Sequence, residues 1–325
     1  MRVISEAQVR GLLDLDELIA ALEQAHIQFS AGRVVMPVRL VVPLPEVHGR
    51  ITSMPAFMRE ERALGIKIIS YFRDNPKQAL PPILATISLY SAETGRIEVL
   101  MDGVYITAIR TACASAMATR ALARPETPVL GVLGAGTQAR AHIRALSRVR
   151  AIQRVVIWSP SRLNAIYVKE ELEDEMGFEV QPQRSAEAVV RESDILTAVT
   201  DSAEPIFEAG WLKPGTHINA VGSHRPDMRE MGGDTVKRST VIVDSLDAIN
   251  SECGDILLAI EEGSITPDHV RGEIGEVLAG ARPGRTNEDE VTMYKSVGIA
   301  AQDVAAASLV YRRALEQGVG TEVAM

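Results

Sequence analysis

Aromatic residues are scarce in this 325-residue chain, at 4%, so its core must be built from Ala, Val, Leu, Ile and Met. Cysteine is scarcer still. Cys113 and Cys253 lie far apart, in no CxxC or Cys/His spacing, which argues against a zinc site or a disulfide framework. Both read as buried thiols in a reducing cytoplasm. There is no Lys/Arg block to offset a formal net charge of −9, which argues against a nucleic-acid partner. No apolar run approaches the roughly 20 residues needed to cross a membrane. The N-terminus carries no basic stretch followed by an apolar one. Instead Ser5-Glu6-Ala7-Gln8 reads as a capping box that opens a helix. Internal repeats and low-complexity linkers are also missing. The expectation is a soluble, cytoplasmic protein with no membrane partner.

What is present is ordinary for a globular protein, with 46% hydrophobic and 24% charged residues, over a length that suits two domains. Residues 14 to 31 carry apolar residues at helical spacing behind an acidic first turn, with Gly32 as the stop. From 34 to 100 the pattern changes to short β-branched runs broken by Pro, Gly or Asp, which is the grammar of an antiparallel meander. An Ala-rich helix follows over 104–124, ended by Arg124-Pro125.

A different grammar begins at 128. Strands VLGVL, RVVIW, DILTAVT, GTHINAVG and STVIVDS alternate with helical segments, which implies a parallel, doubly wound sheet. A last long helix spans 297–318. The fold class expected is therefore α/β, a Rossmann sheet accompanied by a second α+β domain.

Gly134-Ala135-Gly136-Thr137-Gln138-Ala139 has the form G-x-G-x-x-A, directly after an apolar strand and at the start of a helix. Gly134 permits the tight turn, Gly136 lets a pyrophosphate approach the backbone, and Ala139 lets the helix sit close to the sheet. The context points to a dinucleotide. NAD enzymes usually place an acid at the end of the second strand to bond the ribose 2′-OH. Here that strand ends in Ser159-Pro160-Ser161-Arg162, whose hydroxyls and guanidinium suit a 2′-phosphate, so NADP(H) is favoured and NAD(H) remains possible.

Three basic residues interrupt apolar segments: Arg39 in VVMPVRLVV, Lys67 in LGIKIIS and Arg110 at the end of ITAIR. Together they read as a cluster for an anionic group, because Arg grips a carboxylate bidentately and Lys adds a point charge. A small carboxylic acid substrate follows. A second polar concentration is the loop VGSHRPDMRE (221–230), which gathers His224, Arg225, Asp227, Arg229 and Glu230 after an apolar strand. His224 is a candidate acid or base there, while Asp227, Arg229 and Glu230 read as a charge network anchoring the loop.

With these residues in hand, the chain resembles the ornithine cyclodeaminase/mu-crystallin family over nearly its full length. The likeness is carried by RITSMPAFM, LGIKIIS, AIRTACASAMATRALARP, LGAGTQARAHIRAL, the GSHRPDMRE loop and YKSVG near 295. It implies a homodimer in which residues 1–122 with 298–325 bind substrate and pair subunits. A Rossmann domain (123–297) is inserted between those two segments. It assigns Arg39, Lys67 and Arg110 to the substrate carboxylate and places Met54 and Pro55 beside the substrate. Thr111, Gly134 to Ala139, Ser159 to Arg162, Thr200, Val221 and Ser223 would lie along the cofactor. Lys67 would also serve in proton transfer, since a desolvated lysine shifts its pKa readily.

Cyclodeaminases of this family carry an aspartate where His224 aligns, and its absence points away from ornithine cyclodeamination. The G-S-x-R-P-D-x-R-E form looks instead like the ketimine reductases of the mu-crystallin type. The expected activity is reduction of a cyclic ketimine carboxylate, 1-pyrroline-2-carboxylate or 1-piperideine-2-carboxylate, with Lys67 and His224 as the proton-handling residues. Alanine- or opine-type amino-acid dehydrogenation, cyclodeamination, and non-catalytic NADPH-dependent ligand binding stand as alternatives.

Overall fold

The computed structural model describes residues 1–324. The chain forms two compact units, one made of residues 1–110 together with Ile299 onward, the other of Thr111–Gly298. Both changes of unit are single passages of the chain, the first inside a helix.

The first unit begins with β1 (Arg2–Ile4), α1 (Glu6–Leu12) and α2 (Leu15–Ser30). The capping box at Ser5 and Gln8 is present, and the Asp14 carboxylate accepts the N–H groups of Asp16 and Glu17 to open α2. Gly32 follows α2 at φ +71, a conformation that favours glycine. Next come β2 (Val34–Val35), β3 (Leu40–Leu44), β4 (Gly49–Met58), β5 (Ala63–Phe72), β6 (Ile83–Ser91) and β7 (Ile97–Asp102). Strands β4 to β7 form the antiparallel meander; β1 adds to β7 in parallel, and both β2 and β3 pair with β4. Arg39, expected within a strand, lies in the loop between β2 and β3. Pro37 explains the break, because proline has no N–H for a ladder.

Helix α3 (Val104–Leu122) carries Arg110 at the end of the first unit and Thr111 at the start of the second. The second unit then runs β8 (Val129–Leu133), α4 (Thr137–Leu146), β9 (Arg154–Trp158), α5 (Arg162–Met176), β10 (Glu179–Pro182), α6 (Ala186–Glu192), β11 (Ile195–Ala198) and β12 (His217–Ala220). It continues with α7 (Gly233–Arg238), β13 (Thr240–Val243), α8 (Leu246–Glu252), α9 (Gly254–Glu261), β14 (Val270–Glu273), α10 (Ile274–Leu278) and β15 (Thr292–Lys295). All eight strands are parallel, in the order β10-β9-β8-β11-β12-β15-β13-β14. The order reverses at β8, so the chain winds outward on both sides of the β8/β11 pair, where doubly wound sheets open a crevice at their strand ends. The short strands β10, β14 and β15 escaped the sequence reading; four residues are too few to show a period.

The chain returns to the first unit as α11 (Ala300–Gln317) and β16 (Thr321–Glu322), which pairs with β1. Helix α11 packs on β4, β5, β6 and α2. Its small buried residues, Ala300, Ala301, Ala306 and Ala307 among them, allow a close approach. Gly65 on β5 matters for the same reason: a Cβ there would meet Val304 Cγ2 at 3.0 Å and Leu89 Cδ2 at 2.7 Å. Among the described residues, no helix is long and apolar enough to cross a membrane.

Candidate active site

Met54 and Lys67 are directly opposed across β4 and β5, so both side chains leave the sheet on one face. That face lies under α11, and both residues are buried, Lys67 to 1% exposure. The ammonium of Lys67 donates to Oδ1 of Asp303 on α11 at 2.9 Å and forms an ion pair with Oδ2 at 2.8 Å. Arg110 reaches the same carboxylate, Nε to Oδ1 at 3.0 Å, and also donates through Nη1 to Gln302. The Gln302 amide in turn donates to Nε2 of His26 on α2, at 2.9 Å. Four elements, β5, α3, α11 and α2, thus assemble a buried chain of polar groups.

Its electrostatics are unbalanced. Two buried cations face one buried carboxylate, and the half-buried Arg39 adds further positive potential at Lys67. Burial first, and then Arg110, pull the Lys67 pKa down to about 7, although Asp303 resists. His26 is held neutral, its pKa lowered to about 3 by burial and by Arg110. An uncompensated positive charge in a dry site is costly, and one anionic group would relieve it. The arrangement therefore suits a carboxylate ligand beside a lysine able to give or take a proton near neutral pH.

In the second unit, Gly134 has φ +113, and a Cβ on it would lie 2.8 Å from the carbonyl oxygen of Val199. No other residue fits there. Gly136 is exposed, and a Cβ on it would meet nothing within 4 Å, so the backbone at the start of α4 stands open to a ligand. Ala139 is fully buried against the sheet and Ala135 nearly so, while Thr137 is exposed and Gln138 half-buried at the helix N-terminus. These are the features that a pyrophosphate cradle requires. After β9, Ser159 is half-buried; Ser161 caps α5 by accepting the Asn164 N–H, and Arg162 is exposed as the first residue of that helix.

The loop after β12 is tied down from beneath. Ser223 is buried and donates its hydroxyl to the carbonyl of Met228, so its side chain serves the loop itself. The His224 ring bonds the Gly222 carbonyl through Nδ1 at 2.8 Å. Asp227 pairs with Arg225 at the surface, and Arg229 pairs with Glu262. Glu230 is fully buried, and its carboxylate accepts from Thr200 and Gly222. Burial, and then the nearby Asp255, push its pKa up to about 7. Val221 is half-buried, and Thr111 is buried at the head of this unit.

The model of the ornithine cyclodeaminase/mu-crystallin family matches residues 1–318. The chain belongs to that family. Within the ornithine cyclodeaminase/mu-crystallin group it is 33% identical to Delta(1)-pyrroline-2-carboxylate reductase of Bacillus cereus, over 99% of each chain. It is 37% identical to ketimine reductase mu-crystallin of Rattus norvegicus, covering 90% of this chain and 91% of the rat protein. Among solved structures, Thermococcus litoralis Delta(1)-pyrroline-2-carboxylate reductase in complex with NADH and L-proline superposes with a TM-score of 0.97. That enzyme is 37% identical, over 99% of this chain and 100% of the other.

Sequence reasoning missed Asp303, Gln302 and His26. A signal was available for the first two, since Gln302-Asp303 is a polar pair inside the otherwise apolar run IAAQDVAAA. Both residues are fully buried, as such an interruption of an apolar face requires when it has partners elsewhere.

Proposed function

We propose that the protein catalyses NAD(P)H-dependent reduction of a cyclic ketimine carboxylate, 1-pyrroline-2-carboxylate or its six-membered homologue, to the cyclic L-amino acid. The observation that carries this reading is the buried Lys67–Asp303–Arg110 cluster, with its surplus positive charge and a lysine poised near neutrality. Arg110 and Arg39 hold the substrate carboxylate, and Met54 forms an apolar wall beside the ring. Lys67 donates a proton to the imine nitrogen, which makes the C=N carbon a better electrophile. The nicotinamide, when bound, supplies the hydride. Reaction requires the imine carbon to come within about 3–3.5 Å of it. His224 is the second candidate for proton handling. Its Nδ1 bonds the Gly222 carbonyl, which fixes the ring on the loop after β12.

Cofactor contacts are assigned to Thr111, Gly134 through Ala139, Ser159, Ser161, Arg162, Thr200, Val221 and the backbone of Ser223. For the 2′ position we favour NADPH, because no acid follows β9 and Arg162 is exposed at the start of α5. Arg162→Ala is expected to weaken NADPH by about tenfold while leaving NADH within about twofold, a phosphate contact being worth roughly 1–2 kcal/mol. Calorimetric titration of both cofactors measures this, and equal losses would refute the assignment.

The first unit exposes Val35, Val38, Leu40, Val41, Val42 and Ile51 on and around one sheet edge. Such a patch fits a homodimer contact. A solution mass of 35.2 kDa, that of one chain, would count against it. Two buried thiols suit a reducing cytoplasm, which cell fractionation would test.

Absorbance of the reduced cofactor, followed with 1-pyrroline-2-carboxylate and 1-piperideine-2-carboxylate, tests the activity. Turnover with either supports it. No turnover with either, combined with ammonia release from ornithine or reductive amination of pyruvate, would replace it by one of the alternatives. Cofactor binding with no reaction at all would favour a ligand-binding role.

A further inference from the structure

The Glu230 carboxylate joins the loops that leave two adjacent parallel strands. Its Oε1 accepts the N–H and the hydroxyl of Thr200, both at 2.6 Å, two residues beyond β11. Its Oε2 accepts the N–H of Gly222 at 2.7 Å, two residues beyond β12. Gly222 is what makes room: a Cβ there would lie 2.2 Å from the Thr200 carbonyl oxygen and 2.5 Å from the Glu230 carboxyl carbon.

The clasp is itself held. Asp255 accepts the Glu230 N–H at 2.8 Å through Oδ1 and faces Lys295 at 2.9 Å through Oδ2. Lys295 then donates to the carbonyl of Ser223 at 2.6 Å, which closes the ring onto the residue beside Gly222. Glu230, Asp255 and Lys295 are all completely buried. Two carboxylates and an ammonium are a poor way to fill a core compared with apolar side chains. What they provide is a fixed geometry for two backbones at the carboxyl edge of a doubly wound sheet, where such sheets bind ligands.

We propose that Glu230 is a positioning residue for the nicotinamide end of the cofactor, acting through the Thr200 and Gly222 backbones that it locks together. This rests on the reading of the second unit as the dinucleotide-binding unit. The adenosine and pyrophosphate end is held separately, by α4 and the loop after β9, so loosening the clasp affects one end of the ligand and not the other.

The test uses the full-length protein and two ligands. One is whichever of NADH and NADPH binds the wild type tighter. The other is the matching fragment without nicotinamide, ADP-ribose or its 2′-phosphate. In Glu230→Gln an amide N–H must face one of the N–H donors, so the clasp opens without loss of volume. The expected result is a loss of about tenfold or more for the intact cofactor and less than about twofold for the fragment, with Glu230→Asp in between. Parallel losses for both ligands, or no loss for either, would overturn the proposal. If Glu230→Gln does not fold, Asp255→Asn loosens the anchor while leaving the Glu230 carboxylate. It carries the same test, with the same split expected at smaller size. A wild type that binds neither ligand would instead remove the cofactor reading on which the proposal rests.

Discussion

Lys67→Met is expected to lower kcat/KM for ketimine reduction by about 10²–10⁴-fold and to erase the descending limb of its pH profile. Lys67 is buried against Asp303 and Arg110 with a pKa lowered to about 7, first by burial and then by Arg110. In the reductive direction it must be protonated, so activity is full below that value and falls about tenfold per pH unit above it. In the oxidative direction, from the cyclic amino acid, the neutral amine is needed, and the profile reverses: rising up to about 7, then flat. Because kcat/KM reports the free protein, these limbs reflect Lys67 before the substrate carboxylate arrives. Methionine keeps the length and apolar stem while removing both charge and proton, so the fold tolerates it better than alanine. Steady-state rates from about pH 5 to 9 in both directions measure the effect. A methionine variant that keeps the limb would assign the titration to another group.

The fold was legible where chemistry is local. The G-x-G-x-x-A turn between β8 and α4, the capping box at Ser5 and the Asp14 cap depend on residues a few positions apart, and the sequence displays them directly. Lys67 was conspicuous because a cation inside LGIKIIS breaks an apolar strand. Its meaning was not legible. The carboxylate that holds its ammonium, against the pull of burial and Arg110, lies 236 positions later on α11, and only the return of the chain to the first unit brings the two together. Strand β15 was hidden for a related reason: four residues inserted between β12 and β13 leave no periodic trace. Arg39 looked like part of a strand because its neighbours are β-branched, but Pro37 prevents the ladder from running through it. In VGSHRPDMRE the exposed charges drew notice, whereas Glu230, the one fully buried carboxylate of the loop, is the residue tied to both strand ends.

Asp303→Asn is expected to move the descending limb to lower pH while lowering stability. Asp303 acts on Lys67 twice, by its charge and by its hydrogen bond, and both favour the ammonium. Without them, burial and Arg110 act unopposed, and the Lys67 pKa falls below its wild-type value. At neutral pH the lysine is then mostly neutral, so reduction slows by about tenfold for each unit that the limb moves. The oxidative direction, which uses the neutral amine, is spared at the same pH. Removing one member of a buried ion pair costs about 3–5 kcal/mol when the other stays charged. Lys67 escapes part of that cost by shedding its proton, but a guanidinium does not, and Arg110 keeps only its bond to Gln302 in place of the two it made on α11. The stability loss is therefore expected at the lower end of that range, and denaturant unfolding measures it. Bound cyclic amino acid should restore part of it, because the ligand carboxylate takes up the charge that Asp303 had balanced. A limb that stays in place in Asp303→Asn would mean that Asp303 orients Arg110 without setting the proton affinity of Lys67. The two directions of reaction would then lose activity together.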